Sequence, residues 1–138
     1  MKQPLTAIVF LVLVGGAPAA ACDCSRISPE DAFERAKLVA DVKIIGMKRK
    51  CQFECIAKAK IIKSWKGEKK GRIILVGYAE GVSCDDSPPE IGAVQRIAAA
   101  TADGYYSPAV CWSELTRPRS ETLLDALARS RIEGKALE

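Results

Sequence analysis

The sequence contains no histidine, and its aromatic residues are limited to two Trp, three Tyr and three Phe in 138 residues. Histidine is the commonest general base and a frequent zinc ligand, so its absence argues against an enzyme and against a resident metal site. Asp85 and Asp86 are adjacent carboxylates, but they are predicted to lie in a loop. Scarce aromatics argue against single-stranded nucleic acid, which needs exposed aromatic side chains in a positive groove. We therefore expect no catalysis, no cofactor, no intrinsically bound metal and no nucleic-acid partner.

No apolar run is long enough to span a bilayer, which needs about 20 apolar residues. The most apolar segment, residues 5–14, is interrupted only by Thr6, follows Lys2 and precedes small residues at 19–21. This pattern predicts a signal peptide over residues 1–21, with a retained membrane anchor as the alternative. The mature chain then begins at Cys22 and is secreted or periplasmic. Residues 22–138 are long enough for one domain, predicted to be monomeric, and too short for two.

Cys22 leaves a second processing route open, because a cysteine directly after the cleavage site is also the residue that bacterial lipoproteins carry. Ala19 differs from the larger aliphatic residue that is usual three positions before such a cysteine. Lipidation would anchor the protein to a membrane and remove the free α-amino group of Cys22. Contact with a membrane is expected only in that case.

The formal net charge of +4 is modest, but lysines are frequent between residues 58 and 70. In a strand-and-turn region such lysines commonly solvate the outer face of a sheet, and an anionic partner is the alternative. The lysines of this basic stretch are Lys58, Lys60, Lys63, Lys66, Lys69 and Lys70.

All six cysteines lie in the predicted mature chain. In an oxidising compartment an even number of cysteines predicts disulfides, and six cysteines allow 15 pairings. A zinc site built from the C-x-C and C-x3-C pairs is the competing interpretation, which the missing histidine and the secretory signal disfavour. The cysteines are Cys22, Cys24, Cys51, Cys55, Cys84 and Cys111.

Short helices and five strands are predicted for the mature chain. Ser28 can cap a first helix that has Pro29 at its first position and ends near Lys37. Apolar residues at helical spacing predict a C-terminal helix over about 120–133, capped by Ser120 and packed across one end of the sheet. β-Branched residues and turn signals predict five antiparallel strands at about 39–46, 55–65, 72–76, 93–100 and 105–106, with a hairpin tip at 48–54 and turns at 66–68 and 103–104.

This arrangement is mainly β with flanking helices. It fits a five-stranded Greek-key barrel of the OB type, among other antiparallel folds.

Several short motifs resemble the N-terminal, netrin-like domain of the tissue inhibitors of metalloproteinases. The separations from Cys22 to Cys84 and from Cys84 to Cys111 resemble those of the bridged cysteines in that family. Because no cysteine follows Cys111, the resemblance implies a single-domain, bacterial-type relative over residues 22–138. The matching motifs are Cys22-Asp23-Cys24, Ala32-Phe33, Ala40-Asp41-Val42, Gly81-Val82-Ser83-Cys84, Ile97-Ala98-Ala99-Ala100, Asp103-Gly104-Tyr105 and Cys111.

The resemblance implies a disulfide-stapled fold, with one bridge joining Cys22 to Cys84 and a second joining Cys24 to Cys111. Cys51 and Cys55 then remain for a third bridge, in which this chain departs from the family. That bridge would close only a small loop and rigidify the hairpin tip, whereas the two long-range bridges would contribute more to stability.

The resemblance also implies a function, the inhibition of zinc metalloendopeptidases. The α-amino nitrogen and carbonyl oxygen of Cys22 would chelate the zinc of the target enzyme, with Asp23 and Cys24 beside them and with Val82, Ser83 and Cys84 as a second edge. Asp23 would enter the specificity pocket of the protease and suits a basic pocket, because an unpaired buried carboxylate costs several kcal/mol. The alternative is a netrin-like binding module outside the cytoplasm that inhibits nothing.

Overall fold

The computed structural model describes residues 26–49, 54–79 and 89–136. The predicted signal peptide and residues 50–53 of the predicted hairpin tip at 48–54 therefore lie outside the described residues, and the remaining residues of that tip belong to strands. The prediction of a mainly β protein with flanking helices is confirmed. The elements are α1 (Pro29–Arg35), β1 (Leu38–Arg49), β2 (Glu54–Lys66), β3 (Ile73–Ala79), β4 (Val94–Ala102), β5 (Tyr105–Pro108), a 3-10 turn (Val110–Trp112), α2 (Ser113–Thr116) and α3 (Glu121–Ala136).

The five strands form a closed barrel in the order β1-β2-β3-β5-β4, with β4 returning to β1. Four of the neighbouring pairs are antiparallel, but β3 and β5 run parallel, so the predicted all-antiparallel sheet is wrong. The reason is geometric. Strand direction cannot alternate around a closed ring with an odd number of strands, and therefore at least one pair must be parallel.

Two elements continue through the glycines that follow their predicted ends, at residues 76 and 133. Gly77 lies inside β3, where a Cβ would collide with the ring of Tyr105, so the glycine makes room for a side chain. Gly134 lies inside α3, which continues to Ala136. The 3-10 turn and α2 follow β5 and were not predicted.

The predicted tight turn between β4 and β5 is confirmed by its backbone. Asp103 and Gly104 have φ values of 34° and 86°, and positive φ at both central residues is what a type I′ hairpin requires. An aspartate followed by a glycine can adopt this conformation at little cost, because both tolerate positive φ better than most residues.

The barrel interior is the larger of two hydrophobic cores. Alternate residues of β1 and β2 point into it, as the two-residue repeat of a strand dictates. Its members from those two strands are Leu38, Ala40, Val42, Ile44, Cys55, Ala57, Ala59 and Ile61.

The second core, which we call the outer core, lies between the barrel wall and the helices. Val39 and Ala98 belong to it because they point outward, opposite to their neighbours in β1 and β4. Phe33 from α1, Leu115 from α2 and Leu124 from α3 complete it. The helices thus pack where β1 begins and β2 ends. No helix in the described ranges is long and apolar enough to cross a membrane.

Candidate functional site

The residues predicted to contact a target enzyme lie outside the described residues. They are Cys22, Asp23, Cys24, Val82, Ser83 and Cys84. The structure describes the framework on either side of them: the chain from Arg26 onward, the end of β3 at Ala79, and the chain again from Pro89.

The N-terminal side of this framework packs on the outer core. Ile27, which precedes α1, lies against that core, and so does Trp112 in the 3-10 turn. Ile27 is three positions after Cys24, which corresponds to a reach of at most about 11 Å in an extended chain. Cys111, adjacent to Trp112, is disulfide-bonded, and so is Cys55 in the buried part of β2. The predicted pairing gives Cys24 as the partner of Cys111 and Cys51 as the partner of Cys55, and this pairing stays a prediction.

The end of β3 and the segment after β5 share a cavity of about 230 Å³. Tyr78, six residues before Cys84, and Val110, one residue before Cys111, both line it. The Tyr78 hydroxyl donates a hydrogen bond to Oε1 of Gln95 at 2.7 Å. Ser113 and Thr116 of α2 add hydroxyl groups to the lining. The cavity therefore lies between the strand that leads to Cys84 and the turn that carries Cys111.

Arg96 in β4 is the centre of the largest polar network in the described chain. Its guanidinium donates to both carboxylate oxygens of Asp41 in β1, at 2.8 and 3.0 Å. It also donates to Ser120 at 3.1 Å and to Glu121 at 3.0 Å. The hydrogen bond to Asp41 is the main cause that raises the pKa of Arg96.

Trp65 continues this network toward α3. The guanidinium carbon of Arg96 lies 4.8 Å from the centre of the Trp65 ring, and the indole N–H donates to Asp125 at 2.7 Å. All these groups are engaged with each other, so the network joins β1, β2 and β4 to α3. Sequence reasoning missed it. Asp41 and Arg96 do interrupt apolar strands, but only the register of β1 against β4 makes them partners.

A second polar group lies where the β1–β2 hairpin approaches the β4–β5 turn. The Tyr105 hydroxyl donates to Glu54 at 2.6 Å, and Glu54 also accepts from Arg49 at 3.5 Å. The hydrogen bond to Glu54 raises the pKa of the Tyr105 hydroxyl above its usual value. Burial raises the pKa of Tyr106, whose hydroxyl donates to Glu68 at 3.3 Å.

The basic stretch divides into exposed and buried lysines. Lys58 and Lys60 are exposed on β2, as predicted for the outer face of a sheet. Lys66 is the exception, because it is buried with 8 % of its surface exposed. Its ammonium donates to the carbonyl oxygens of Phe33 at 2.6 Å and Glu34 at 2.7 Å, at the end of α1. Lys66 therefore caps a helix instead of meeting a partner.

Among the described residues, no three or more Cys, Asp or Glu side chains come together as a metal site would require. No protein-family model matches the chain, and no curated protein matches it.

Proposed function

We propose that this protein is a secreted inhibitor of zinc endopeptidases, acting through a free N-terminal Cys22. The α-amino nitrogen and the carbonyl oxygen of Cys22 form a five-membered chelate with the catalytic zinc of the target and displace its bound water. The amine binds in its neutral form, which is accessible because an α-amino group titrates at about 7.7 to 8.0. The thiol of Cys22 takes no part, since it is committed to a bridge with Cys84.

The observation that carries the proposal is the bonded state and position of Cys111. It is disulfide-bonded, and its neighbour Trp112 packs on the same outer core as Ile27, three residues after Cys24. This supports a Cys24–Cys111 bridge that holds the N-terminal segment against a rigid barrel. A segment fixed before it meets an enzyme loses less conformational freedom on binding, which favours affinity.

The barrel itself also supports the proposal. A closed five-stranded barrel with strand order β1-β2-β3-β5-β4 is compatible with the OB type that the sequence resemblance implies. The cavity between Tyr78 and Val110 brings the strand that leads to Cys84 near the turn that carries Cys111.

Asp23 determines which proteases are suitable targets. As the residue after the chelating cysteine, it enters the specificity pocket, where an unpaired carboxylate costs several kcal/mol. A pocket with a lysine or arginine at its base pairs with this carboxylate. We therefore propose targets with a basic pocket, and we expect Asp23→Thr to extend inhibition to enzymes with apolar pockets.

The test compares the mature protein that starts at Cys22 with a form that carries one additional alanine before it. Both are assayed against a panel of zinc endopeptidases that includes basic-pocket and apolar-pocket enzymes. The native form should inhibit at least one basic-pocket enzyme, and the extended form should inhibit none, because its terminal amine no longer reaches the zinc. Equal circular dichroism spectra and melting temperatures establish that the extension leaves the fold intact.

Two results would contradict the proposal. One is equal inhibition by the two forms, and the other is no inhibition by either, which would favour a binding module without inhibitory activity. Intact mass and N-terminal sequencing of protein from its native host provide a separate check. A diacylglycerol adduct on Cys22 is incompatible with the proposal, because the lipid is attached to the sulfur that the bridge to Cys84 requires.

A further inference from the structure

Four exposed residues form a row across the outside of the barrel. Val94 of β4 is paired with Lys43 of β1, Lys43 with Lys60 of β2, and Lys60 with Ile73 of β3. Neighbouring strands lie about 4.8 Å apart, so the row spans about 14 Å. All four side chains point away from the barrel interior. For Lys43, Lys60 and Ile73, the adjacent residues in the strand belong to the core inside the barrel. Val94 points outward because Ile97, which lies an odd number of positions further along β4, belongs to that core. Both apolar ends are well exposed, since Val94 and Ile73 each have 61 % of their surface in contact with solvent.

A second row lies beside the first. Lys58 of β2 is paired with Leu75 of β3 on one side and with Gly46 of β1 on the other. Ile45, next to Gly46, is 41 % exposed. We call the combined surface the lysine face and define it by Lys43, Lys58, Lys60, Ile45, Ile73 and Val94.

Within the described ranges, no ion pair neutralises the charge of the lysine face. Two lysines directly opposite each other, as Lys43 and Lys60 are, destabilise a sheet. None of the three lysines takes part in an ion pair in the described ranges. The carboxylates closest in sequence are engaged with other cations: Asp41 with Arg96, Glu54 with Arg49, and Glu68 with Arg72.

The apolar residues of the lysine face restrict the kind of partner. Single exposed aliphatic residues are ordinary on a protein surface, but here they flank unpaired lysines in register. A partner that complements both the lysines and the aliphatic residues must carry negative charge and must have an apolar region that contacts the aliphatic side chains. The lysine face is also part of a closed barrel. The backbone groups of its strands therefore pair with neighbouring strands and cannot bind a peptide by strand addition.

We propose that the lysine face docks on an anionic phospholipid bilayer. Lysine ammonium groups meet the headgroup phosphates, and their alkyl stems extend along the aliphatic neighbours. Ile45, Ile73 and Val94 enter the boundary between headgroups and acyl chains, as the apolar side chains of interfacial proteins do. This docking needs no lipid on Cys22, and it does not depend on the inhibition of a protease.

The test is co-sedimentation of the mature, unlipidated chain with phospholipid vesicles. Binding is expected with vesicles of phosphatidylcholine that contain one third phosphatidylglycerol, and not with phosphatidylcholine alone, and it should weaken as salt screens the charges. The double variant Lys43→Glu, Lys60→Glu should weaken binding roughly thirtyfold or more, because each lysine near an anionic surface contributes roughly fivefold. In this variant two glutamates replace the two paired lysines, so a like-charge pair across β1 and β2 destabilises the variant as it does the wild type.

The control is the double variant Arg129→Glu, Lys135→Glu, which makes the same change in net charge at exposed positions of α3. It should retain most of the binding. A second variant, Ile73→Ser, Val94→Ser, should weaken binding at high salt as well as at low salt, because it removes apolar contact.

Three results would overturn the proposal. Equal losses in the two charge-reversal variants would mean that only net charge matters. Binding to soluble dextran sulfate without binding to vesicles would assign the face to a free polyanion. Binding to an acidic protein competitor such as a polyglutamate-rich peptide, again without vesicle binding, would assign it to a protein partner.

Discussion

Lys66 shows how a charged residue can hold a helix in place from a distance of more than thirty positions in sequence. Its ammonium donates to two carbonyl oxygens at the end of α1 and lies 5.4 Å from the centre of the Phe33 ring. The last carbonyl oxygens of a helix have no partner within the helix, and the negative end of the helix dipole attracts a cation. The side chain therefore joins the end of β2 to α1.

Replacing Lys66 with methionine preserves the length of the side chain but removes its donor. The buried carbonyl oxygen of Phe33 is then unsatisfied, and we expect the free energy of unfolding to fall by about 1–3 kcal/mol in denaturant titrations. Lys70→Met is the matched control, because Lys70 is exposed in the turn after β2, and it should change stability by less than about 0.5 kcal/mol. Equal losses in both variants would contradict the capping role.

The same lysine predicts a dependence on pH. Burial lowers the pKa of Lys66 below its ordinary value of 10.5. The unfolded chain therefore binds more protons than the folded chain in the window just below 10.5, and the contribution of Lys66 to stability rises with pH in that window. The difference in unfolding free energy between wild type and Lys66→Met should widen as the pH is raised toward 10.5. A difference that stays constant or shrinks would show that burial does not disfavour the charged lysine.

Gly77 provides a test of local packing at the residue scale. A Cβ at this position would lie 2.6 Å from Cδ2 of Tyr105, so Gly77→Ala must displace the tyrosine ring or the strand. Overpacking of this kind costs about 1–3 kcal/mol. Displacement also weakens the hydrogen bond from Tyr105 to Glu54, and the raised pKa of Tyr105 should fall toward 10.0 in a spectrophotometric titration. Gly46→Ala should change neither quantity, because no atom lies within 4 Å of its added Cβ.

At the scale of elements, α3 is joined to the barrel by an arginine as well as by apolar residues such as Leu124, which packs in the outer core. Arg96 reaches Ser120 and Glu121 at the beginning of α3, while Asp41 fixes the guanidinium from β1. Both Arg96 and Asp41 are mostly buried, with 13 % and 17 % of their side chains exposed. A pair of this kind contributes little when intact but is costly to break, because the remaining charge is left without a partner.

We expect Arg96→Met to lower the free energy of unfolding by about 3–5 kcal/mol. The amides of α3 should exchange faster with solvent than those of the barrel strands, since the helix loses its anchor. Arg96→Lys should restore little, because an ammonium cannot bind both oxygens of Asp41. Arg117→Met is the control, because Arg117 pairs with Glu114 on the surface, where such pairs contribute about 0–1 kcal/mol.

The order and type of α1, the five strands and α3 could be predicted from the sequence, because they depend on local signals, whereas the 3-10 turn and α2 were not predicted. Ser28 does accept a hydrogen bond from the backbone of Asp31, and Asp103 and Gly104 do form the predicted turn. The errors arise where contacts between residues that are distant in sequence determine the local structure. Gly77 signals a strand end in sequence, yet it lies inside β3 because Tyr105, from another strand, needs the space.

At the scale of the whole molecule, several features could not be predicted from the sequence because they depend on which strands become neighbours when the barrel closes. A parallel pair between β3 and β5 follows from closing five strands, and the partnership of Asp41 with Arg96 follows from the register across the closing seam between β1 and β4. The lysine face has the same origin, since Lys43 and Lys60 become neighbours only through pairing. The chelating site lies outside the described residues and stays a prediction from motifs.

The predicted disulfide pairing has consequences for the stability of the whole chain. A bridge between Cys24 and Cys111 closes a loop of about 90 residues, which corresponds to about 4–5 kcal/mol in the chain-entropy model, whereas a bridge between Cys51 and Cys55 corresponds to about 2 kcal/mol. The double variant Cys24→Ala, Cys111→Ala should therefore lose more stability than Cys51→Ala, Cys55→Ala. The buried side chain of Cys55 adds a packing loss to the second variant, so stability alone does not decide the pairing.

The number of free thiols in the denatured variants distinguishes the predicted disulfide pairing from other pairings. If the predicted bridges are correct, each double variant removes one complete bridge and exposes no thiol, and non-reducing digestion of the wild type yields peptides that join Cys22 to Cys84 and Cys24 to Cys111. Two free thiols in the Cys24→Ala, Cys111→Ala variant would mean that these cysteines bond elsewhere. The N-terminal segment would then lack its predicted anchor at Cys111, and the structural basis for a chelating Cys22 would be lost with it.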